Sequence, residues 1–210
     1  MPVKKTVFRK PATPTFKKDP ATVQALDAAY HLQKAGSLMQ AELLYQKVLM
    51  VEPGNPFALY ALGTIALDRG NAAGAVPLLR QALATGYDHE TVITHLGIAL
   101  QMLGRVDEAM AIYEGALELV PGNPRFHSNV AVVLAQKGDY EGGLARAQTA
   151  LKLDPKFAPA SMNAGFILQS LDRHVEAAEM FERTLRLDPD NTQVKEALRL
   201  LKQKLATQGA

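Results

Sequence analysis

The sequence contains no cysteine among its 210 residues, which excludes disulfides, thiolate metal sites and cysteine nucleophiles. It has no apolar run near the roughly 20 residues that a membrane-spanning helix needs. Its first ten residues carry charge without an apolar stretch behind them, unlike a secretory signal. These absences predict a cytoplasmic protein without a transmembrane segment.

Basic side chains are scarce in the main body of the chain. Residues 22–191 carry 13 basic and 19 acidic side chains, a formal charge of −6. Residues 1–21 carry six basic side chains and one acid, and the last 19 residues have a formal charge of +3. Because nucleic acids are bound by basic faces, the body is not predicted to bind them.

Motifs for catalysis and metal binding are also missing. The sequence has no glycine-rich phosphate loop, no Gly-x-Ser-x-Gly, no His-Glu-x-x-His and no acidic calcium loop. Its five histidines are spaced so that no two share a helix face with a carboxylate. We therefore expect a non-enzymatic protein with no catalytic residue, no cofactor and no metal.

The sequence has instead a period of 34 residues, a length typical of helix–turn–helix repeats. Prolines follow this period at positions 53, 121, 155 and 189, and Tyr87 stands at the missing place. Glycines follow it at 36, 70, 104 and 138, and Asp172 stands at the fifth place. With Thr22 as the first place, the period predicts five repeats: 22–55, 56–89, 90–123, 124–157 and 158–191.

Each periodic position has a physical reason. A glycine after an apolar-periodic helix closes it, because the residue past a helix end often has positive φ. A proline ends the second helix of each repeat because it cannot continue that helix. Small residues such as Gly63 and Gly165 let two helices approach closely, while large rings such as Tyr45 and Phe181 fill the space beside them. Pro77, near the start of a second helix, predicts that this helix starts late or bends.

Two groups of segments resemble the tetratricopeptide repeat family. Ala61-Leu62-Gly63, His95-Leu96-Gly97 and Asn163-Ala164-Gly165 are similar to the family's first helix. The segments DEAMAIYEGALELVPGNP and VEAAEMFERTLRLDPDN are similar to its second helix and the turn that follows. The resemblance covers residues 22–191 and implies an all-α, right-handed superhelical solenoid of antiparallel helix pairs.

The two ends of the chain lie outside the repeats. Residues 192–206 predict an amphipathic capping helix, such as repeat arrays need, with Val194, Leu198, Leu201 and Leu205 packed inward. Residues 1–21 contain four prolines and little periodicity, which predicts a flexible or extended basic arm. Self-association through this arm is a further expectation.

One face of the first helices is the predicted binding surface. In the family these helices line a concave groove, and helical periodicity places the second, fifth, sixth, ninth, twelfth and thirteenth places of each repeat on one face. An amide-rich track runs there beside an apolar one, and amides can bond to an extended peptide. The predicted groove residues are Asp27, Tyr30, Gln33, Tyr60, Thr64, His95, Ile98, Gln101, Asn129, Val132, Asn163, Phe166 and Gln169.

Asn129 and Asn163 are similar to the asparagine ladder of the superhelical repeats in O-GlcNAc transferase, which holds a peptide backbone. A clamp for a C-terminal carboxylate is not predicted, because the fifth places of the repeats carry no basic residue.

A scaffold that binds a protein or peptide in this groove is the leading functional hypothesis. Two alternatives are a chaperone for secretion or pilus assembly and a detached regulatory subunit of an enzyme such as a glycosyltransferase.

Overall fold

The computed structural model describes residues 19–87 and 89–208. These residues form eleven α-helices and no strand, which confirms the predicted all-α helical repeat array. No helix in this part of the chain combines the length and the apolarity of a membrane span. The helices are α1 Pro20–Lys34, α2 Leu38–Val51, α3 Pro56–Asp68, α4 Ala72–Ala84, α5 His89–Met102, α6 Val106–Leu119, α7 Pro124–Gln136, α8 Tyr140–Leu153, α9 Ala158–Ser170, α10 His174–Leu187 and α11 Thr192–Gln208.

The chain divides into two compact units, and the division falls within α6. Unit 1 ends at Ile112 and unit 2 begins at Tyr113. In unit 1, α1 packs on α2 and α3 packs on α4. In unit 2, α7 packs on α8, α9 packs on α10, and α11 packs on α10. Within each of these pairs except the last, a turn of three residues joins the two helices.

The turns between paired helices adopt the predicted left-handed conformation. The periodic glycines at 36, 70, 104 and 138 have φ of 78°, 74°, 69° and 84°, and Asp172 at the fifth place has φ of 56°. In the second repeat, the N–H of Asn71 then donates to the carbonyl of Ala66 at 2.8 Å. This bond satisfies a carbonyl that the end of the helix would otherwise leave without a partner.

The periodic prolines end the second helices as predicted. Helices α2, α6, α8 and α10 each stop two residues before the proline of their own repeat. The turn then leads into the next first helix, where Oδ1 of Asn55 accepts the N–H of Ala58 at 3.1 Å and Pro56 occupies the first turn. Asn123 and Pro124 repeat this arrangement at the start of α7.

Each unit has its own apolar core. In unit 1 the core is centred on Tyr45 and Ile65. Gly63 lies so close to α4 that a Cβ there would meet Cδ2 of Leu79 at 2.8 Å. In unit 2 the core is centred on Phe181 and includes Val194, Leu198 and Leu201 of α11, with Leu205 packed against it. The apolar side of α11 thus packs on this core, and its role as a cap remains a prediction.

Three of the predicted boundaries differ from the helix bounds of the structure by one or two residues. Helix α1 begins at Pro20, inside the predicted arm, because the carboxylate of Asp19 accepts the N–H of Thr22 at 3.2 Å and caps the helix. Helix α5 begins one residue before the predicted third repeat, and α11 continues two residues past position 206. The rest of the arm, residues 1–18, lies outside the described residues.

Of the two outcomes predicted for Pro77, a late start or a bend, the late start is wrong. Helix α4 runs from Ala72 to Ala84 with Pro77 inside it, so it starts at the same repeat position as the other second helices. Oδ1 of Asn71 accepts the N–H of Gly74 at 2.9 Å and caps the helix before the proline is reached.

Candidate partner-binding face

The thirteen predicted groove residues all lie on first helices, namely α1, α3, α5, α7 and α9. We call the side of the first helices that carries them the first-helix face of the unit concerned. None of them belongs to the buried core, and Tyr30 and Ile98 are 42% and 40% exposed. The period does not separate every position, because Ala61 at a sixth place and Ser128 at a fifth place are buried.

The first-helix face of unit 1 contains a cavity of about 460 Å³. Five predicted residues from α1, α3 and α5 line this cavity: Tyr30, Gln33, Tyr60, Thr64 and His95. Residues that are up to 65 positions apart in the sequence thus converge on one space. We call it the main cavity.

A second cavity of unit 1, of about 530 Å³, is lined by Val23, Leu26, Asp27, Tyr30 and Phe57. Asp27, another of the predicted groove residues, thus lines a cavity of unit 1. Tyr30 and Phe57 line both cavities, so the two spaces share a wall of aromatic rings. We call it the side cavity.

Five rings form a continuous series along these cavities. The ring centroids of Tyr30 and Phe57 are 6.4 Å apart, and those of Phe57 and Tyr87 are 6.2 Å apart. The ring centroid of Tyr87 lies 5.9 Å from that of Tyr60, and the Tyr60 centroid lies 5.4 Å from that of His95. Most of these pairs are edge to face, a favourable arrangement for aromatic side chains that also fixes their orientation.

The polar groups around the main cavity are held in defined positions. The hydroxyl of Tyr45 donates to Oε1 of Gln33 at 3.0 Å, which turns the amino group of this amide away from Tyr45. Burial, with smaller electrostatic effects of Tyr30 and Tyr87, raises the pKa of Tyr45 to about 12. The phenol is therefore protonated at neutral pH and remains a donor to Gln33.

Two further groups are fixed by the backbone of their own helices. Nδ1 of His95 lies 2.8 Å from the carbonyl of Thr91, and the hydroxyl of Thr64 donates to the carbonyl of Ala61 at 2.8 Å. The Lys34 ammonium lies 5.5 Å from the centroid of the Tyr30 ring, a cation–π distance.

Six residues that line the main cavity or belong to its ring series are absent from the predicted set: Lys34, Leu38, Phe57, Ala61, Asp68 and Tyr87. Phe57 occupies a second place, and Lys34 and Asp68 occupy thirteenth places, so the period had already assigned them to this face. Tyr87 is different, because it follows α4 at the place of a turn proline. No periodic signal could have brought it to the face.

Ile98 and Gln101 complete the predicted set in unit 1. Both lie on α5 with partial exposure, outside the main and side cavities.

The first-helix face of unit 2 is built from amides and has fewer aromatic rings. Nδ2 of Asn163 donates to Oγ of Ser128 at 2.9 Å, which links α9 to α7. Nδ2 of Asn129 is buried and, within the described part of the chain, has no hydrogen-bond partner. The Phe166 ring lies 4.9 Å from that of Phe181, and Val132 and Gln169 are partly exposed. The donor of Asn163 is thus already used inside the chain.

Unit 2 also has a cavity of about 480 Å³ that lies away from the first-helix face, between α8, α9 and α10. Its floor is apolar and includes Leu144, Leu168 and Met180, whereas Glu179 and Arg183 belong to its charged lining. Sequence reasoning did not indicate this cavity.

The paired helices, the periodic turns and the shared exposed face define a helical repeat protein. One model described as tetratricopeptide repeat matches residues 66–132 and again residues 134–206, and a second such model matches residues 26–90. The chain belongs to the tetratricopeptide repeat family.

Named relatives share parts of this chain. It is 34% identical over 99 residues to the small glutamine-rich tetratricopeptide repeat-containing protein 2 of Mycosarcoma maydis, covering 47% of this chain and 28% of that protein. It is 32% identical over 102 residues to the Hsp70-Hsp90 organizing protein of Triticum aestivum, covering 49% of this chain and 18% of that protein. The chain therefore spans less than a third of the length of either relative.

Solved structures share the fold. A tetratricopeptide repeat protein of Thermus thermophilus superposes with a TM-score of 0.70 at 19% identity, covering 86% of this chain and 98% of that one. YrrB, described as having an unusual peptide-binding site, superposes with a TM-score of 0.61 at 22% identity, covering 90% of this chain and all of that one. The first repeat domain of Spaghetti, bound to an HSP90 peptide, gives a TM-score of 0.53 at 26% identity, covering 55% and 94%.

Proposed function

We propose that this chain is a non-enzymatic scaffold that holds an extended segment of a partner protein against the first-helix face. The observation that carries the proposal is the main cavity of unit 1, where five residues chosen from the repeat period meet in one space. Membership of the tetratricopeptide repeat family supports it. So do the resemblances to the Hsp70-Hsp90 organizing protein and to a repeat domain bound to an HSP90 peptide.

The chemistry of the face suits an extended peptide. Aromatic walls bury apolar side chains, the amino group of Gln33 offers a donor to a peptide backbone, and the amide of Gln169 offers a donor and an acceptor. Each such hydrogen bond contributes a net of about 0.5–1.5 kcal/mol. Four to six of them, with aromatic contacts, correspond to roughly micromolar affinity, or about −8 kcal/mol.

The two asparagines of unit 2 have different roles in this proposal. Because Nδ2 of Asn163 is bonded to Ser128, Asn163 would contact a partner through its oxygen alone. Nδ2 of Asn129 has no partner in the described chain, so reorientation of this amide toward a peptide carbonyl would satisfy it. We therefore expect Asn129→Ala to reduce binding, and Asn163→Ala to reduce both binding and stability.

The test is the affinity of a partner isolated from the native cell for a set of variants. Tyr60→Ala and His95→Ala should each weaken binding about tenfold or more, because both side chains line the main cavity. Tyr140→Ala removes an exposed tyrosine from α8, outside the face, and should leave the affinity unchanged. Equal affinities for all three variants and the parent would contradict the proposal. The cavity between α8, α9 and α10 would then be the next candidate site.

The chaperone and regulatory-subunit alternatives use the same face and differ in what is bound. A chaperone would form a stoichiometric complex with one client that is poorly soluble alone. A regulatory subunit would change the rate of a partner enzyme. The solubility of the isolated partner and its activity with and without this chain separate the three functions.

The basic arm is the candidate for self-association. Residues 1–18 contain six basic and no acidic side chains, whereas residues 22–191 have a formal charge of −6. Attraction of this kind is screened over a Debye length of about 8 Å near 0.15 M salt. Sedimentation of the full chain and of a chain starting at Asp19 should therefore show an oligomer that salt and truncation both remove. Identical sedimentation of the two chains at low salt would contradict a role of the arm.

A further inference from the structure

We propose that the main and side cavities of unit 1 together form a site for a proline-rich segment of the partner protein. The inference rests on the proposed function and specifies the chemistry of the segment at this end of the face. It is drawn from the ring series, from the wall that the two cavities share, and from the orientation of Gln33.

The aromatic lining is the first argument. Grooves with aromatic walls bind proline-rich segments, since proline rings pack flat on aromatic faces and the polyproline helix is already formed before binding. The rings of Tyr30, Phe57 and Tyr60 line the cavities, and their edge-to-face packing with Tyr87 and His95 fixes them in place. Such a preformed surface loses little entropy when a ligand binds.

The shared wall is the second argument. A polyproline helix has three residues per turn and rises about 3.1 Å per residue, so residues i and i+3 project to the same side about 9 Å apart. Tyr30 and Phe57 line both the main cavity and the side cavity. Of the ligand residues i and i+3, one would occupy the main cavity and the other the side cavity.

Hydrogen bonding is the third argument. Proline has no N–H, so a proline-rich backbone offers only carbonyl acceptors, and its site must supply donors. Gln33 accepts the Tyr45 hydroxyl through its oxygen and therefore presents its amino group as a donor. The hydroxyl of Thr64 and Nδ1 of His95 are already bonded to backbone carbonyls of their own helices. The donor in this argument is therefore the amino group of Gln33.

The contrast with unit 2 points the same way. There the face carries the amides of Asn129 and Asn163 beside the ring of Phe166, a composition suited to an ordinary backbone with both N–H and C=O groups. Clustered rings are found on the described face of unit 1. We therefore assign the proline-rich part of the segment to unit 1.

The experiment measures binding of fluorescein-labelled nonaproline to the full chain by fluorescence anisotropy. A nonamer of alternating leucine and serine, with the same label, offers apolar side chains and backbone N–H groups. We expect saturable binding of nonaproline and at least about tenfold weaker binding of the leucine–serine peptide.

Variants then locate the site. Tyr30→Ala should weaken nonaproline binding about tenfold, whereas Tyr30→Phe keeps the ring and should stay within about threefold of the parent. Gln33→Glu keeps the acceptor for Tyr45 but removes the donors, and should also weaken binding. Circular dichroism checks that each variant retains the parent's helicity, and Tyr140→Ala on α8 is the matched control.

Two results would overturn the inference. One is equal or tighter binding of the leucine–serine peptide, which would make the cavities a general apolar site. The other is no binding of nonaproline. If the isolated partner still requires Tyr60 and His95 in that case, the proposed function stands and only the proline assignment fails.

Discussion

A Cβ atom at Gly165 would lie 2.5 Å from Cε1 of Phe181, closer than real Cβ contacts allow. Gly165 is on α9 and Phe181 is on α10, and the phenylalanine ring is fully buried between them. The ring of Phe181 thus occupies the space that a side chain at position 165 would need. Gly63 and Leu79 repeat this relationship in unit 1 at 2.8 Å.

We expect Gly165→Ala to lower the free energy of unfolding. Overpacking of a core costs about 1–3 kcal/mol, which outweighs the gain of about 0.5–1 kcal/mol that alanine brings to a helix. Gly122→Ala, in the turn after α6, is a control for added volume alone, because a Cβ there meets nothing within 4 Å. Urea unfolding measures both, and equal stability of the two variants would contradict the close-packing role of Gly165.

The fold was largely predictable because its determinants repeat. The positive φ at Gly36 and Asp172, the helix ends before Pro53 and Pro189, and the small residue at Gly165 each recur at a fixed position in the sequence. The late start predicted for α4 was wrong because Pro77 was considered alone. The cap at Asn71 starts the helix before the proline interrupts its hydrogen bonding.

The candidate site was predictable in part. Helical periodicity placed Tyr30, Tyr60 and His95 on the exposed face, and the structure brings all three to one cavity. Periodicity could not place Tyr87, because a turn residue has no helical face. Nor could it show that Asn163 donates to Ser128, since that bond depends on the spacing of α7 and α9.

Asp172→Gly should stabilise the chain by about 0.5–1 kcal/mol. Asp172 has φ of 56°, where a side chain is disfavoured and glycine is not. The reciprocal change, Gly138→Asp, places a side chain at φ of 84° at the matching position and should destabilise by about 1 kcal/mol. Thermal unfolding compares the two, and a loss of stability in Asp172→Gly would mean that the 3.5 Å contact of its carboxylate with Nε2 of His174 dominates.

Leu201→Ala should destabilise unit 2 strongly, whereas Leu200→Ala should not. Leu201 is 1% exposed and belongs to the core that α11 covers, while its neighbour Leu200 is 50% exposed. Truncation of a buried leucine costs about 2–5 kcal/mol, and an exposed change is usually within about 0.5 kcal/mol. Urea unfolding of the two variants gives the comparison.

A chain that ends at Asn191 extends the test of α11. It lacks the whole helix, so the core around Phe181 loses its cover and we expect lower stability or self-association. A truncated chain that unfolds like the parent and sediments as the parent does would contradict the capping role.

The stabilisation from Glu108 should be present at neutral pH and disappear in acid. Hydrogen bonds from the side chain of Arg105, with the charges of Arg105 and Arg80, hold the pKa of the Glu108 carboxyl below its ordinary value. A carboxyl whose pKa is lower in the folded chain stabilises it above the unfolded pKa of about 4.3, and the stabilisation is lost as the pH falls through the folded pKa.

Glu108→Gln should therefore lower the free energy of unfolding at pH 7 by no more than about 1 kcal/mol, because the side chain is 37% exposed and water screens the pair. The difference from the parent should shrink below pH 4.3 and vanish once the parent's carboxyl is protonated. Glu114→Gln removes the same charge from an exposed position on α6 and should change stability by less than about 0.5 kcal/mol at either pH.

Urea unfolding of the parent, Glu108→Gln and Glu114→Gln between pH 3 and pH 7 measures how each free energy of unfolding depends on pH. A constant difference between Glu108→Gln and the parent across that range would show that packing at position 108, and not ionisation of the carboxyl, provides the stabilisation.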